Sequence, residues 1–485
     1  MSALRRGLSL VLLALLLGPS PSRAGEETAT GPVLDWETGA GRSYVIPAAE
    51  LGAFLFGLNQ FDRHLVSPHR DYESDLDSIE KNLRTAPIYD KDPFSVNQIG
   101  HPYQGGIYYG LARSAGLDYW QALLYGLAGS FLWETAGETT PPSINDHIAT
   151  AIGGSFVGEA MFRMANLLLE KGGEHPGFWR ELGAALISPP TAFNRLAFGE
   201  RFKSIFPSRD PEIFLRLRIG ATLTTDITGQ GLPPTARRQE GSLDYSLTYG
   251  LPGKPGYRYT RPFDYFHFEF TAVPNASSVG NAIENVSTRG LLLGDRYEAG
   301  ESVRGLWGLF GIYDYFSPQI FRVADTAVGA GTVMQWWLSR LVAVQATALG
   351  GIGFGAAGTV ADQAERDYHY GLMPQALQGL RLIVGDRVLL EATGREYYVV
   401  PVSAGGGGTN RFGREIITRA GLGMTVRIYG PHALGLQYLA SGRSARFSGL
   451  PDRHETIETV SLSYNFIGHT RLGAVEWRAA ETAGR

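Results

Sequence analysis

The sequence contains no cysteine among its 485 residues. A chain without thiols forms no disulfide, binds no metal through thiolates and carries no lipid on a cysteine. Any metal site would therefore have to use histidine and carboxylate side chains.

Long apolar runs are also missing after Ala24. No stretch there reaches about 18 uninterrupted apolar residues, the length expected of a membrane-spanning helix. Tyr119–Trp133 is too short, and His147–Leu169 contains Glu159 and Arg163. The sequence therefore predicts no transmembrane helix.

An excess of positive charge is absent too. The net charge is −4 and the isoelectric point is near 6.2. Nucleic-acid binding calls for a basic face, so we expect no nucleic-acid partner. No motif for a cofactor is present, and no compact metal motif such as H-E-x-x-H occurs.

The first 24 residues have the pattern of a signal peptide. Arg5 and Arg6 precede the apolar run Leu8–Leu17, and small residues lead up to a cleavage site after Ala24. We expect residues 25–42 to form a leader, followed by a helical domain at residues 43–198 and a linker at 199–211.

Three helices are predicted between Asn97 and Arg163. The first begins at His101, with Pro102 at a position where its missing N–H costs nothing. The second runs from Tyr119 to Glu138, and the third starts at Ser143.

Four polar residues of these helices are candidates for chemistry. His101, Glu134, Glu138 and Asp146 are candidate catalytic or metal-binding residues. Short connections make consecutive helices antiparallel, so all four side chains should meet at one end of the helices. The alternative is structural: Asp146 and His101 cap helices, and Glu159 pairs with Arg163 one turn away.

Small residues recur every four positions on the third helix. Thr150, Gly154 and Gly158 share one line, which predicts close packing against a second helix backbone. Glycine inside a helix costs about 1 kcal/mol relative to alanine. We therefore expect packing to compensate for that cost.

Several phrases of this region resemble a bacterial envelope family known only as a domain of unknown function. They are DPFSVNQIGHPYQGG (92–106), ARSAG (112–116), GSFLWETAGE (129–138), PPSINDHIAT (141–150) and GGSFVGEAMFR (153–163). The resemblance extends over about residues 43–198. It implies location in a Gram-negative envelope and no particular activity.

From Glu212 the periodicity changes from helical to alternating. Four clear strands and eight weaker ones fall between residues 212 and 466, for example Leu243–Tyr249 and Val460–Phe466. Segments of about ten alternating residues between turns are typical of a transmembrane β-barrel. The fold class predicted is therefore α+β and multi-domain, with a small helical domain followed by an antiparallel barrel of about 12 strands. A soluble β-sandwich is the alternative.

Further features favour the barrel. Val384–Arg387 and Tyr429–His432 are predicted as tight turns, and longer loops include 357–367 and 395–415. Aromatic residues at strand ends would form interfacial girdles, namely Tyr313, Tyr315, Phe316, Trp336, Trp337, Tyr397, Tyr398, Tyr464 and Phe466. Residues 467–485 should form a tail, unless His469–Trp477 is the last strand.

Three functions are compatible with this organisation. The first is passage or gating across the outer membrane, with the helical domain as a plug in the lumen or a cap in the periplasm. Arg216, Arg218, Asp244, His267, Glu269 and Glu391 would line the lumen with mixed charge. The second is an enzyme acting on envelope lipid or glycan, and the third is an assembly scaffold. Outer-membrane lipid is the expected partner, together with an envelope protein or a small ligand.

Overall fold

The computed structural model describes residues 32–476 except 67–68, 91, 174, 230–238, 274–281, 319, 360–365, 405–412, 449–450 and 469–470. The predicted signal peptide lies outside the described residues. The chain divides into two compact units. The helical unit contains residues up to 90 together with 99–209, and the barrel unit contains 91–98 and everything from 210 onwards.

The helical unit is built from α-helices joined by short turns. Their bounds are α1 Val45–Leu65, α2 Leu76–Arg84, α3 His101–Ser114, α4 Tyr119–Leu132, α5 Gly154–Glu170, α6 Phe178–Ile187 and α7 Pro189–Ala197. Among the described residues, no helix is both long enough and apolar enough to cross a bilayer.

The local signals at the helix ends are confirmed, with one correction. Asp118 accepts a hydrogen bond from the Gln121 amide at the start of α4, and the Ser143 hydroxyl accepts one from the Asp146 amide. The predicted second helix does not continue regularly to Glu138. It ends at Leu132 and is followed by a π-helical turn over Trp133–Gly137.

Helices α3 and α5 approach so closely that side chains would not fit between them. A Cβ added to Gly154 would lie 2.7 Å from the Gly105 backbone. A Cβ on Gly105 would lie 1.7 Å from the Thr150 carbonyl oxygen, and one on Gly158 would lie 3.0 Å from the Gly106 Cα. The line of small residues thus lies at a helix–helix contact.

Twelve antiparallel strands form a closed barrel in which β1 pairs with both β2 and β12. Their bounds are β1 Ile213–Thr228, β2 Gln239–Tyr249, β3 Phe266–Ala272, β4 Ile283–Ala299, β5 Val303–Phe316, β6 Phe321–Trp337, β7 Val342–Thr359, β8 Tyr368–Val384, β9 Val388–Ala404, β10 Gly413–Tyr429, β11 His432–Phe447 and β12 Arg453–Ile467. The predicted fold class and strand number are confirmed. The alternative last strand is wrong, because β12 ends at Ile467 and residues 471–476 form no strand.

The two ends of the barrel differ in their connections. The end at which β1 begins and β12 finishes carries the tight turns at Gly385 and Gly430, where both glycines have positive φ. We call it the short-turn end, although it also carries the long connection 250–265 between β2 and β3. The opposite end carries the connections 229–238, 273–282, 360–367 and 405–412, and we call it the long-loop end. Short turns face the periplasm in bacterial barrels.

Contacts between strands that are not neighbours identify the inner face. Arg395 of β9 reaches Asp314 of β5 and Glu269 of β3, which is possible only through the lumen. Alternate residues therefore face outwards. Outward positions expose apolar side chains around the barrel, among them Ile219, Leu293, Trp307, Val328, Ile352, Leu380, Leu390, Leu422, Leu436 and Leu462. An apolar belt around a charged interior is the architecture of an outer-membrane barrel.

The predicted aromatic girdle is only partly correct. Trp336, Tyr464 and Phe466 are exposed on the outside. Tyr397 and Trp337 face the lumen instead, where they donate to Asp314 and to the Val475 carbonyl. Phe316 also faces inwards, in a buried cluster. The position of a residue in the strand alternation determines whether its side chain faces the lumen or the outside, and aromatic character alone does not.

Residues Asp92–Gln98 pack on the outer wall of the barrel near the long-loop end. The Phe94 ring contacts the rings of Tyr315 and Tyr368, which point outwards. Asn97 donates to the hydroxyls of Tyr368 and Tyr370 at 3.1 and 2.8 Å. The chain therefore leaves the barrel unit at Gln98 on this outer wall.

Replacing Gly154 with leucine should destabilise the helical unit by about 1–3 kcal/mol, because overpacking a filled interface forces the backbone to shift. Gly52→Leu in α1 is a matched control, since a Cβ at Gly52 meets no atom within 4 Å. Hydrogen exchange of the α3 and α5 amides in the full-length protein measures the effect. Equal protection in both variants would show that the helices do not depend on this contact.

Candidate functional site

His101 and Asp146 form the centre of a buried polar cluster in the helical unit. His101 opens α3, and Asp146 lies in the short turn Ile144–Asp146 that leads towards α5. The His101 Nε2 atom lies 3.6 Å from Asp146 Oδ1, and Nδ1 lies 3.2 Å from the Thr150 hydroxyl. A carboxylate behind a histidine can orient the ring and stabilise its charged form.

The two glutamates at the end of α4 have separate hydrogen-bond partners. Glu134 accepts from the Ser143 amide at 2.8 Å, which ties the π-helical turn to the next helical segment. Glu138 accepts from the Trp133 indole at 2.7 Å and from the Thr140 hydroxyl at 2.9 Å.

Burial and mutual repulsion favour the protonated forms of these glutamates. Burial raises the pKa of Glu134, and the nearby Asp146 and Glu138 carboxylates raise it further. Burial also raises the pKa of Glu138, although His101 opposes the shift. The cluster can therefore hold protons at neutral pH.

The structure brings the four predicted residues into one neighbourhood and adds a fourth carboxylate, that of Asp62. Burial raises the pKa of Asp62 in α1 to about 7. The negative charges of Asp62, Glu134 and Glu138 all raise the pKa of the buried Tyr108 hydroxyl. The sequence reasoning missed Asp62, although it follows Leu51, Leu55 and Leu58 at helical spacing. Among the described residues, no group of three or more His, Asp or Glu side chains has the arrangement of a metal site. The chemical role of the four candidates remains a prediction.

A second cluster surrounds Glu159, which is completely buried in α5. Its carboxylate accepts from Arg113 Nε at 2.7 Å, from Arg163 Nε at 2.8 Å and from the Tyr109 hydroxyl at 2.8 Å. Burial opposes ionisation, yet the two arginines hold the pKa of Glu159 below its ordinary value. These contacts hold α3 against α5, and the charges of Glu159 and the two arginines compensate one another, which is a structural role.

Charged side chains lie in the middle of the barrel lumen beside an apolar cluster from β4–β8, which includes Phe310, Leu349 and Leu377. Arg395 lies 3.1 Å from Asp314 and 2.9 Å from Glu269. Arg216 and Arg381 both pair with Glu391. The pairs of Arg395 and the Arg216–Glu391 pair join strands that are not neighbours, whereas Arg381 and Glu391 face each other on the adjacent strands β8 and β9. All six lumen residues predicted from alternation line this interior, namely Arg216, Arg218, Asp244, His267, Glu269 and Glu391.

Two chambers adjoin this charged layer. The chamber towards the short-turn end has a volume of about 120 Å³ and is lined by Phe214, Tyr265, Gln345 and Thr347 among others. The chamber towards the long-loop end has a volume of about 160 Å³ and is lined by Thr222, Glu240, Arg419 and Ser461 among others. Arg216, Glu269, Glu391, Thr393 and Arg395 line both chambers.

The C-terminal tail enters the short-turn end of the barrel. Gln335 holds the Val475 backbone by two hydrogen bonds of 3.0 Å, and Gln345 donates to the Gly473 carbonyl at 2.7 Å. Arg381 donates to the Leu472 carbonyl at 3.1 Å. Leu472, Ala474 and Val475 are buried in one apolar cluster with Phe214, Leu251 and Ile383.

An apolar cluster also lies inside the long-loop end. Phe316, Met373, Val399, Ile417 and Ile457 come from five strands and are buried together. The charged layer and its chambers therefore lie between apolar layers at both ends. Sequence reasoning found the alternation of the lining but not the return of the tail, because residues 471–476 have no strand periodicity.

Glu134→Gln should make the stability of the helical unit less dependent on pH. A carboxyl whose pKa is raised on folding stabilises the fold below the unfolded value of about 4.3, and that stability is lost as pH rises. Glutamine keeps the neutral hydrogen-bonding shape. We therefore expect wild-type protection of Trp133–Ser143 against hydrogen exchange, corrected for intrinsic rates, to fall from pH 5 to pH 8 more steeply than that of the variant.

Glu80→Gln provides the control, because Glu80 belongs to an exposed ion pair with Arg84 on α2. It should leave the pH profile of this segment unchanged. A Glu134→Gln profile parallel to that of the wild type would contradict a protonated Glu134.

Comparisons with solved structures give distant similarities to outer-membrane channels. The Pseudomonas putida toluene transporter TodX is 10% identical, with a TM-score of 0.22, over 53% of this chain and 90% of that chain. The channel DcaP of Acinetobacter baumannii is 8% identical, with a TM-score of 0.24, over 53% and 96%. At such low similarity we infer nothing from them about what this barrel carries.

Comparison with the curated proteins gives no match. A family model, in contrast, matches residues 86–190, and its description is "Domain of unknown function (DUF3943)". The resemblance found in the motifs is thus confirmed for these residues. The chain therefore carries a segment similar to the DUF3943 family, followed by a closed twelve-strand barrel of the outer-membrane type.

Proposed function

We propose that the protein is a gated conduit for small polar solutes across the outer membrane. The observation that carries this proposal is a charged lumen with two chambers, enclosed between apolar layers, one of which includes the C-terminal tail. A barrel needed only as an anchor could fill its interior with apolar side chains. Chambers lined by ionised groups can instead hold hydrated or polar solutes.

The tail has the properties of a removable closure. Side chains of the wall hold its described residues 471–476 through backbone atoms, and these six residues form no strand pairing with the barrel. Each such hydrogen bond contributes only about 0.5–1.5 kcal/mol net, and release would also expose Leu472 and Val475. The closed ladder of twelve strands does not include residues 471–476, so the barrel can stay folded without them. In barrels of this type the short-turn end faces the periplasm, where a partner protein could reach the tail.

Contacts within the barrel argue against a helical plug in the lumen. Arg395 spans from β9 to β5 and β3, and these side chains occupy the space that a helix would need. We therefore leave the plug out of the proposal for the helical unit. Its periplasmic location, and a role as a cap there, remain predictions.

A second candidate function is acid–base chemistry in the helical unit. The observation that favours it is the His101–Asp146 pair, 3.6 Å apart, beside glutamates that burial and repulsion keep protonated. A neutral glutamic acid next to a histidine–carboxylate pair can supply a general acid and a general base at one site. Loss of an envelope-hydrolase activity in His101→Ala, with the fold retained, would support this alternative.

Conductance in planar bilayers tests the conduit. We expect full-length protein to conduct weakly and a chain ending at Gly468 to conduct more, because truncation removes the tail from the short-turn end. Phe316→Ala in the truncated chain should raise conductance further, since it thins the apolar layer at the long-loop end.

Leu422→Ala is the matched control for Phe316→Ala, because Leu422 is exposed on the outer wall. It should leave conductance unchanged in the truncated chain. If the truncated Phe316→Ala protein conducts no more than the full-length protein, while its barrel still shows heat-modifiable migration, the conduit proposal is wrong.

A further inference from the structure

Helix α4 exposes a continuous apolar face. Trp120, Leu124, Leu127 and Phe131 follow one another at intervals of four, three and four residues, which places them on one side of the helix. Between 43% and 63% of each of these residues is accessible. The helix contains no charged residue along its 14 positions.

Helix α1 packs against α4 and exposes apolar residues of its own. Val45 and Phe56 are exposed, and Gly52 and Gly57 open onto free space. Glu50 is the only charged residue between Val45 and Phe61, and its carboxylate oxygens are buried. The exposed part of α1 is therefore apolar over four turns.

Helix α6 adds a second feature of membrane-contacting helices. It begins with Phe178 and Trp179, which are 70% and 78% exposed, and Arg180 follows. Aromatic and basic residues together are enriched where a protein meets the headgroups of a bilayer. Large exposed apolar faces of this kind are rare on the water-facing surface of soluble domains.

We propose that the α1–α4 face of the helical unit contacts the acyl chains of the membrane that holds the barrel. Two observations favour lipid over a protein partner. The barrel fixes the chain in a bilayer, and Asp92–Gln98, which lies between α2 and α3 in sequence, is on the outer wall of the barrel. The absence of charge on α4 also matches an acyl environment better than a protein interface with a polar rim.

This contact is interfacial and does not cross the bilayer. Helix α4 has 14 residues, which corresponds to about 21 Å and is less than the hydrocarbon thickness of about 30 Å. The inference does not depend on solute passage through the lumen. It requires only that the barrel is embedded in a membrane.

Spin labels on single cysteines test the proposal, and the cysteine-free chain needs no background substitutions. Leu124→Cys is labelled in the full-length protein reconstituted in liposomes. Collision rates with oxygen, which concentrates in lipid, and with a water-soluble nickel complex are then measured. Trp307→Cys on the outer barrel wall is the lipid control, and Glu80→Cys on α2 is the water control.

We expect the ratio of oxygen to nickel collisions at residue 124 to equal that at residue 307 and to exceed that at residue 80 severalfold. A ratio equal to that at residue 80 would show that the face is in water. Low collision rates with both reagents would show that protein covers it. Either of these two results would overturn the proposal. Both can be interpreted without a conductance measurement, so the test is independent of the conduit proposal.

Discussion

The barrel depends on the ion pairs that Arg395 makes across its lumen with Asp314 and Glu269. Charges taken out of water are costly unless they are paired, so these three side chains must all face inwards and meet. A shift of one residue in the register of β9 would turn Arg395 into the lipid, and it would leave Asp314 with Arg289 at 3.7 Å and Glu269 with His267 at 3.0 Å. The pairs therefore select one register for strands that are distant in sequence, and they also set the position of the two chambers.

The same constraint acts in the helical unit, where Glu159 joins Arg113 and Arg163. Glycines let α3 and α5 approach, and the buried ion pairs then fix how far each helix slides along the other. The cluster around His101 differs, because its carboxylates outnumber its basic groups and burial favours protonation. Unlike Glu159, its carboxyl groups therefore keep protons that a rise in pH can remove.

Features that depend on local periodicity could be predicted from the sequence. Alternation gave twelve strands and the lumen residues, and chain geometry brought His101, Glu134, Glu138 and Asp146 together. Features that depend on contacts between distant segments could not be predicted. Aromatic character at strand ends predicts a girdle position for Tyr397 and Trp337, whereas polar partners inside the barrel bind them. Neither the tail at Leu472–Val475 nor the packing of Phe94 on the outer wall has a periodic signal.

Access of water-soluble reagents to Thr347 tests most directly whether the tail closes the lumen. Thr347 lines the chamber next to the short-turn end, while Ser339 in the nearby turn is exposed and serves as the control. In liposomes, a small charged thiol reagent should modify Thr347→Cys slowly in the full-length protein and many times faster in a chain ending at Gly468, with Ser339→Cys equally fast in both. Equally fast modification of Thr347→Cys in both proteins would contradict a closed lumen.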